Sequence, residues 1–238
     1  MEALLRWQHP DLGMVAPMLF IPVAEETGLI VPIGKWVLQT ACLQNVTWQR
    51  QGRTRLRIAV NLTARQFSDE HLLRDLDAIL KSTGMEAGLL ELEIHESLLI
   101  RDIDKTLRIL TDLKSMGIKI AIDDFGTGYS SLATLQRFPL DTIKIDRSYI
   151  RDIATRGEDS NLTQAIISMG KSLSLTVVAQ GVETKEQADF LREHACDEFQ
   201  GFYFNKPMSA AQFTGLLQAQ DAGVTLAGSR GLLMTMPR

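Results

Sequence analysis

Polar side chains, most of them carboxylates and amides, recur in this sequence at the ends of short apolar runs or within them. They are Glu2, Asn61, Glu93, Asp123, Asp124, Lys144, Asp146, Gln180, Glu183 and Gln200. A single acidic residue after a strand is most often an N-cap, because its carboxylate accepts hydrogen bonds from the next helix. Several carboxylates at one place repel one another unless cations lie among them. Oxygen ligands favour Mg²⁺ or Mn²⁺ over Zn²⁺, so the pattern predicts a site for hard divalent cations.

The adjacent Asp123 and Asp124 are the most informative of these residues. They end the apolar run 118–122, and a glycine-rich turn follows them. Two neighbouring carboxylates at a strand end can bridge two metal ions about 4 Å apart, which is an arrangement suited to phosphate ester hydrolysis. After the turn, Ser130 and Ser131 are predicted to cap the next helix.

Two nucleotide-binding alternatives are poorly supported. The triplet Asp124-Phe125-Gly126 also occurs in protein kinases, but this chain has neither their glycine-rich phosphate loop nor their HRD catalytic loop. Gly126 and Gly128 also fall short of the dinucleotide-binding fingerprint, which argues against a nicotinamide or flavin site.

Lys144 has two interpretations. It lies between Ile143 and Ile145, at the end of an apolar run. It is either a surface lysine or an ammonium at the edge of the sheet, where it would orient water or a phosphate oxygen and neutralise developing charge.

The elements that would position these residues follow from the hydrophobic pattern. Apolar β-branched runs alternate with segments of helical period such as Glu70–Ser82 and Leu98–Met116, which is typical of βα units and a parallel sheet. Strands are predicted near Ala3–Trp7, Leu56–Asn61, Leu89–Glu93, Ile118–Asp123, Thr142–Asp146, Leu175–Gln180 and Glu198–Phe204. Seven such units predict an α/β fold, a TIM-like (β/α)8 barrel whose first strand is missing from this chain. The polar strand ends would then meet at the barrel mouth.

The composition narrows the class of protein. The chain has 238 residues, of which 45% are hydrophobic and 23% charged, and a net charge of −4. Without a basic patch, this charge argues against nucleic acid or an anionic membrane as partner. No apolar run approaches the roughly 20 residues that cross a bilayer. Cys42 and Cys196 have no CxxC spacing, so free buried thiols and a cytoplasmic setting are expected.

The chain is predicted to divide into a domain over residues 1–220 and a loosely held C-terminal tail over residues 221–238. The helical period is lost after about Gln218, and glycines become frequent. The sequence opens abruptly on the strand near Ala3, which predicts that it is a piece of a longer signalling protein.

Together these residues resemble the EAL family of cyclic di-GMP phosphodiesterases, from Glu2 to about Leu217. The matching stretches are Glu2-Ala3-Leu4, Phe20-Ile21-Pro22, Asn61-Leu62-Thr63, Glu93-Ile94-His95-Glu96, 123–132, Lys144-Ile145-Asp146, Gly181-Val182-Glu183 and Gln200-Gly201. Chance could supply one of these stretches, but hardly all of them in the order of the family.

The resemblance implies a role for each matched residue. Two Mg²⁺ or Mn²⁺ ions would be held by Glu2, Asn61, Glu93, Asp123 and Asp124. Lys144, with Glu183 and the position of Gln180, would assist the attacking water. Arg6, Asp146 and Gln200 would bind cyclic di-GMP, and Glu96 would support the loop 124–131. The implied reaction opens one phosphodiester of cyclic di-GMP to give linear pGpG.

The chain departs from the family pattern in three places. Gln180 stands where the family usually has a glutamate assigned to water activation, and a glutamine cannot take a proton. His95 replaces the usual threonine. The strand that usually precedes Glu2 is not in this sequence. Glu183 is expected to compensate partly for Gln180, which predicts a phosphodiesterase of reduced activity.

Two alternatives remain, a cyclic di-GMP receptor that no longer cuts its ligand and some other metal-dependent barrel enzyme. Homodimerisation, and a sensor or GGDEF (diguanylate cyclase) domain upstream, are implied by the resemblance alone.

Overall fold

The computed structural model describes residues 1–52, 55–128, 132–151, 153, 157–221 and 233–236. The strands are β1 (Glu2–Leu5), β2 (Trp7–His9), β3 (Gly13–Val15), β4 (Ile58–Leu62), β5 (Leu90–His95), β6 (Lys119–Phe125), β7 (Thr142–Ile145), β8 (Thr176–Gln180), β9 (Glu198–Gln200), β10 (Met208–Ser209) and β11 (Leu233–Met236). The helices are α1 (Pro17–Thr27), α2 (Ile30–Arg50), α3 (Ala64–Phe67), α4 (Leu72–Thr83), α5 (Leu98–Arg101), α6 (Ile103–Ser115), α7 (Leu132–Leu135), α8 (Arg147–Arg151), α9 (Gly157–Ser172), α10 (Lys185–Glu193) and α11 (Ala210–Asp221), and a 3-10 turn covers Ala87–Leu89.

One parallel sheet organises the molecule. Its strand order is β10-β11-β1-β4-β5-β6-β7-β8-β9, and β2 and β3 form a separate antiparallel hairpin. The seven strands β1 and β4–β9 curl into a half-barrel surrounded by helices, which confirms the predicted TIM-like fold class. All strands of the large sheet run in the same direction, so their carboxyl ends form one edge.

The core lies between the sheet and its helices. Strands such as β6 and β7 are buried on both faces, as expected for a parallel sheet covered by helices, and Ile120, Ile122 and Ile143 have no exposed surface. Helix α4 buries Leu76 and Ile79 on one face and ends at Gly84, whose φ of 73° is the left-handed cap conformation. The helical period of the sequence therefore reflects real burial against the sheet.

All seven predicted strands are present, and the helix predicted at Glu70–Ser82 is α4. The last strand ends at Gln200, because a turn follows in which the Phe204 N–H donates to the Gly201 oxygen. The single helix predicted over Leu98–Met116 is wrong. Asp102 has φ −151° and its carboxylate accepts a hydrogen bond from the Lys105 N–H, so a new helix begins there.

The predicted tail contains regular structure. Helix α11 runs to Asp221, and strand Leu233–Met236 pairs with β1 on one side and β10 on the other. The division into a domain over residues 1–220 and a loosely held tail over residues 221–238 stays a prediction.

The two cysteines, Cys42 and Cys196, are free and buried, as expected, and burial raises the pKa of both thiols to about 12. Within the described residues, no helix is long and apolar enough to cross a bilayer.

Candidate functional site

The carboxyl edge of the sheet gathers polar side chains around Lys144 on β7. Its ammonium lies 2.6 Å from a Glu93 oxygen, 3.1 Å from Glu2 and 3.5 Å from Asp123. The Lys144 side chain is only 2% exposed, so it is not the surface lysine that the sequence left open. Burial opposes its charge, but the Glu93, Glu2 and Asp123 carboxylates raise its pKa well above the usual value. This group is called the Lys144 cluster below.

Glu2 is held from both sides of the half-barrel. One carboxylate oxygen accepts a hydrogen bond from Asn61 Nδ2 and the other from Gln200 Nε2, both at 2.7 Å. Burial would raise its pKa, but Lys144 and the two amides lower it to about 2. Glu2 is therefore a fixed anion, and Gln200 links the last strand of the half-barrel to β1.

Glu93 has the least compensated carboxylate of the cluster. It is buried beside Lys144, and burial together with the Glu2 charge raises its pKa well above the usual value. Its Oε2 is the one buried side-chain polar atom without a hydrogen-bond partner among the described residues. A buried unsatisfied carboxylate oxygen costs free energy, so it commonly marks a place where another group binds.

Asp123 and Asp124 both face the carboxyl edge because β6 is irregular. The register with β7 shifts between Ile122 and Phe125, and Asp124 has a left-handed φ of 52°. Gln180 Nε2 donates to Asp123 Oδ1 at 2.7 Å. The pKa of Asp124 is raised to about 6 by burial and by the nearby Asp123 and Asp146 carboxylates.

Glu96 holds the turn that follows these aspartates. It is buried, and its Oε2 accepts hydrogen bonds from the backbone N–H groups of Gly126 at 3.0 Å and Gly128 at 3.1 Å. A Cβ at Gly128 would lie 2.8 Å from the Glu96 carboxylate, so the close approach requires glycine. Ser130 and Ser131, predicted to cap the next helix, lie outside the described residues.

A polar cavity of about 400 Å³ opens beside the cluster. It is lined by Glu2, Leu4, Asp124, Asp146, Arg147, Gln180, Gly181 and Gln200. Arg147 was missed by sequence reasoning. Its only signal is its place directly after Asp146, at the end of a strand. Gly181 leaves room for this arginine, because a Cβ there would lie 2.6 Å from the Arg147 Cβ.

Two predicted residues lie apart from this cavity. Arg6 donates to the Leu5 carbonyl at 2.8 Å and lines a separate, mostly apolar cavity of about 770 Å³ together with Trp7 and Phe20. Glu183 is exposed, and its carboxylate makes no hydrogen bond or ion pair with another described residue. The Glu183 carboxylate thus has no hydrogen bond or ion pair with the described residues of the Lys144 cluster, and its catalytic role stays a prediction.

The donor set suits a hard cation, although it is not arranged as a finished metal site. In the described residues, no three His, Cys, Asp or Glu side chains converge as metal ligands, since the Lys144 ammonium lies between the carboxylates. The cluster nevertheless contains three carboxylates for one ammonium, and Glu93 Oε2 has no partner. These oxygens fit Mg²⁺ or Mn²⁺ chemically.

Comparisons with known proteins establish the family. A family model described as EAL domain matches residues 1–207. The chain belongs to the EAL family, as the resemblance predicted. It is 46% identical over 211 residues to the "Bifunctional diguanylate cyclase/cyclic di-GMP phosphodiesterase MucR" of Pseudomonas aeruginosa, covering 89% of this chain and 31% of the relative. It is 44% identical over 219 residues to the "Cyclic di-GMP phosphodiesterase NbdA" of the same organism, covering 92% of this chain and 28% of the relative.

A solved structure agrees with the sequence comparison. The "PaMucR Phosphodiesterase, c-di-GMP complex" has a TM-score of 0.87 and 46% identity, and the match covers 89% of this chain and 86% of that chain. The chain spans about a third or less of the length of the curated relatives it matches.

Proposed function

We propose that this EAL domain hydrolyses cyclic di-GMP to linear pGpG with two divalent cations, at a reduced rate. The observation that carries the proposal is the Lys144 cluster, three carboxylates around one buried ammonium with the Glu93 Oε2 unpartnered. It borders a polar cavity of about 400 Å³. Relatives named as cyclic di-GMP phosphodiesterases support the choice of substrate.

Each residue has a separate part in the proposed reaction. Glu2, Asn61, Glu93 and Asp123 would hold one cation, and Asp123 with Asp124 would hold the second. When bound, the cations would neutralise charge on the phosphate and activate the attacking water. Lys144 would orient that water and stabilise the developing negative charge with its ammonium. Arg147 borders the cavity and would bind a phosphate oxygen, which is a role suited to its planar guanidinium.

Gln180 accounts for the reduced rate. Its amide nitrogen donates to Asp123 Oδ1, so the side chain steadies a proposed metal ligand. A neutral amide cannot accept a proton from water, and loss of a general base typically costs about 10²–10⁴-fold in rate. Glu183 is exposed, and its carboxylate has no hydrogen bond or ion pair with the described side chains of the Lys144 cluster. It therefore offers little compensation for the missing base.

The receptor function is the second candidate, and the Gln180–Asp123 hydrogen bond favours it. This contact keeps Asp123 in place, and the glutamine supplies no base. A domain that binds cyclic di-GMP without cutting it would need both features.

Product analysis separates the two functions. We expect the purified chain to form pGpG slowly from cyclic di-GMP with Mg²⁺ or Mn²⁺, as followed by chromatography. Gln180→Glu should raise the rate by at least about tenfold, because it restores a proton acceptor. Asp123→Asn is the control that should abolish product while the protein stays folded.

The other outcomes are equally decisive. Tight binding of cyclic di-GMP in Ca²⁺, with no product from either the parent or Gln180→Glu, would establish the receptor. If the chain neither bound cyclic di-GMP nor formed product, both functions would be contradicted.

We also propose that the chain is cytoplasmic, forms homodimers, and works in a longer polypeptide with a sensor or GGDEF domain upstream. The much greater length of the relatives supports the last point. Light scattering of the purified chain tests the dimer.

A further inference from the structure

His95 lies at the carboxyl end of β5, next to the proposed metal ligands. It is opposite Asp123 in the sheet register, and its side chain is 51% exposed at the edge of the sheet. Its Nε2 lies 3.7 Å from Asp124 Oδ2. The imidazole therefore faces a carboxylate that the proposed reaction needs.

The hydrogen bonds of the ring fix its tautomer. The Ser97 backbone N–H donates to His95 Nδ1 at 3.2 Å, and the Ser97 hydroxyl lies 2.9 Å from the same nitrogen. A nitrogen that accepts from a backbone N–H carries a lone pair, so the ring proton is on Nε2. His95 thus points an N–H group at Asp124, and this nitrogen has no lone pair for a metal ion.

Asp124 needs such a partner more than the other carboxylates do. Its backbone is in the left-handed region, at φ 52°, and Thr127 Oγ1 bonds its carbonyl oxygen rather than its carboxylate. In the described part of the chain, His95 is the basic side chain within 4 Å of this carboxylate.

We propose that His95 is a positioning residue for Asp124, whose Nε2–H group holds the Asp124 carboxylate at the carboxyl edge of the sheet. The inference rests on the proposed two-cation function. Its consequence is a specific one: His95 sets the affinity of the second cation and leaves that of the first unchanged. Partners that orient metal ligands in this way typically contribute about 10–100-fold in metal affinity.

Calorimetric titration of the whole chain with Mn²⁺ tests the proposal without turnover. We expect the parent to bind two ions. His95→Thr keeps a side chain suited to a strand end but lacks the Nε2–H, and it should weaken the second ion about tenfold and leave the first within about twofold. His95→Gln places an amide N–H near the same point and should restore most of the affinity. With cyclic di-GMP, His95→Thr should raise the Mn²⁺ concentration needed for half-maximal rate and leave KM unchanged.

His71→Thr is the matched control. His71 Nε2 lies 3.6 Å from Glu70 Oε1, and the His71 side chain is 52% exposed, so this imidazole matches His95 in exposure and in distance to a carboxylate, outside the cluster. This variant should bind both ions as the parent does.

The outcomes separate this inference from the function on which it rests. If the parent binds two ions and His95→Thr binds both equally well, the positioning role is overturned and the proposed function stands. If His95→Thr weakens both ions together and His95→Gln restores neither, the residue has only a structural role. A parent that binds fewer than two ions would overturn both the two-cation function and this inference.

Discussion

The two ends of strand β7 carry opposite arrangements of charge. Next to its amino end, the single carboxylate of Asp141 accepts from Lys114 at 2.6 Å, Lys119 at 2.8 Å and the Ile120 N–H at 2.9 Å. At its carboxyl end, the single ammonium of Lys144 lies among three carboxylates. The first arrangement gives both carboxylate oxygens hydrogen-bond partners and more positive than negative charge. The second arrangement has an excess of negative charge. In barrel folds the catalytic residues lie at this carboxyl edge of the sheet.

Strand β5 repeats the comparison with two glutamates on one strand. Glu91 is buried but accepts from Thr142 Oγ1 at 2.9 Å, and Arg57 Nε lies 3.5 Å away. Glu93, two residues on, is equally buried but keeps one oxygen without a partner. Satisfied charge therefore stabilises the amino edge, and unsatisfied charge at the carboxyl edge prepares it to bind a ligand.

The largest effect is expected from Lys144→Met. The variant leaves three buried or half-buried carboxylates without their cation, which should lower the free energy of unfolding by about 3–5 kcal/mol and abolish pGpG formation. Because Ca²⁺ could replace the missing positive charge, it should stabilise this variant more than the parent. Urea unfolding with and without Ca²⁺ measures both effects.

Lys119→Met at the amino edge is the control for that experiment. Asp141 keeps Lys114, so the loss of stability should be smaller and independent of Ca²⁺. A Lys144→Met protein as stable as the parent in the absence of cations would contradict the view that the carboxyl edge carries uncompensated charge.

A smaller effect is expected from Asp141→Asn. It replaces the carboxylate shared by two partly exposed lysines with a neutral amide, so the free energy of unfolding should fall by about 1–3 kcal/mol, with kcat unchanged. Asp77→Asn, in the exposed pair with Lys81, should change stability by no more than about 0.5 kcal/mol. A change of kcat in Asp141→Asn would show that the two edges are not independent.

The smallest effect is expected on stability at acid pH. Although burial acts in the opposite direction, hydrogen bonds from Lys114, Lys119 and Ile120 lower the pKa of Asp141. A depressed pKa stabilises the fold above the unfolded value of about 3.9, and this stabilisation is lost as the pH falls through the folded value. Urea midpoints of the parent and Asp141→Asn should differ by a constant amount above about pH 5 and converge below about pH 4. A difference that grows with acid would contradict this assignment.

The sequence predicted the scaffold well because burial leaves a strong pattern. Runs such as 118–122 and 142–145 are rich in β-branched residues and largely buried, and the positions of all seven strands followed from runs of this kind. The break at Asp102 was missed because apolar residues continue at helical spacing across it. The hairpin of β2 and β3 was also missed, since each strand has only three residues and they flank a turn.

The sequence predicted which residues form the site but not how they are arranged. Glu93 and Asp123 lie toward the carboxyl ends of their strands, which a parallel sheet delivers to one edge, whereas Glu2 lies at the start of β1. The central place of Lys144 required the curvature of the sheet, which no local pattern contains. Likewise, the exposure of Glu183 depends on how the chain turns after β8, where its backbone N–H donates to Gln187.

The contacts of Glu2 and its strand come from distant parts of the chain. Its hydrogen bond with Gln200 joins residues 198 positions apart, and its strand pairs with Leu233–Met236 near the other end. Contacts between residues so far apart in the sequence form late in folding, because closing the long loop between them costs chain entropy. A chain that is still being synthesised therefore contains all of the proposed cation ligands once Asp124 has been added, but Glu2 gains its Gln200 partner only in the completed fold.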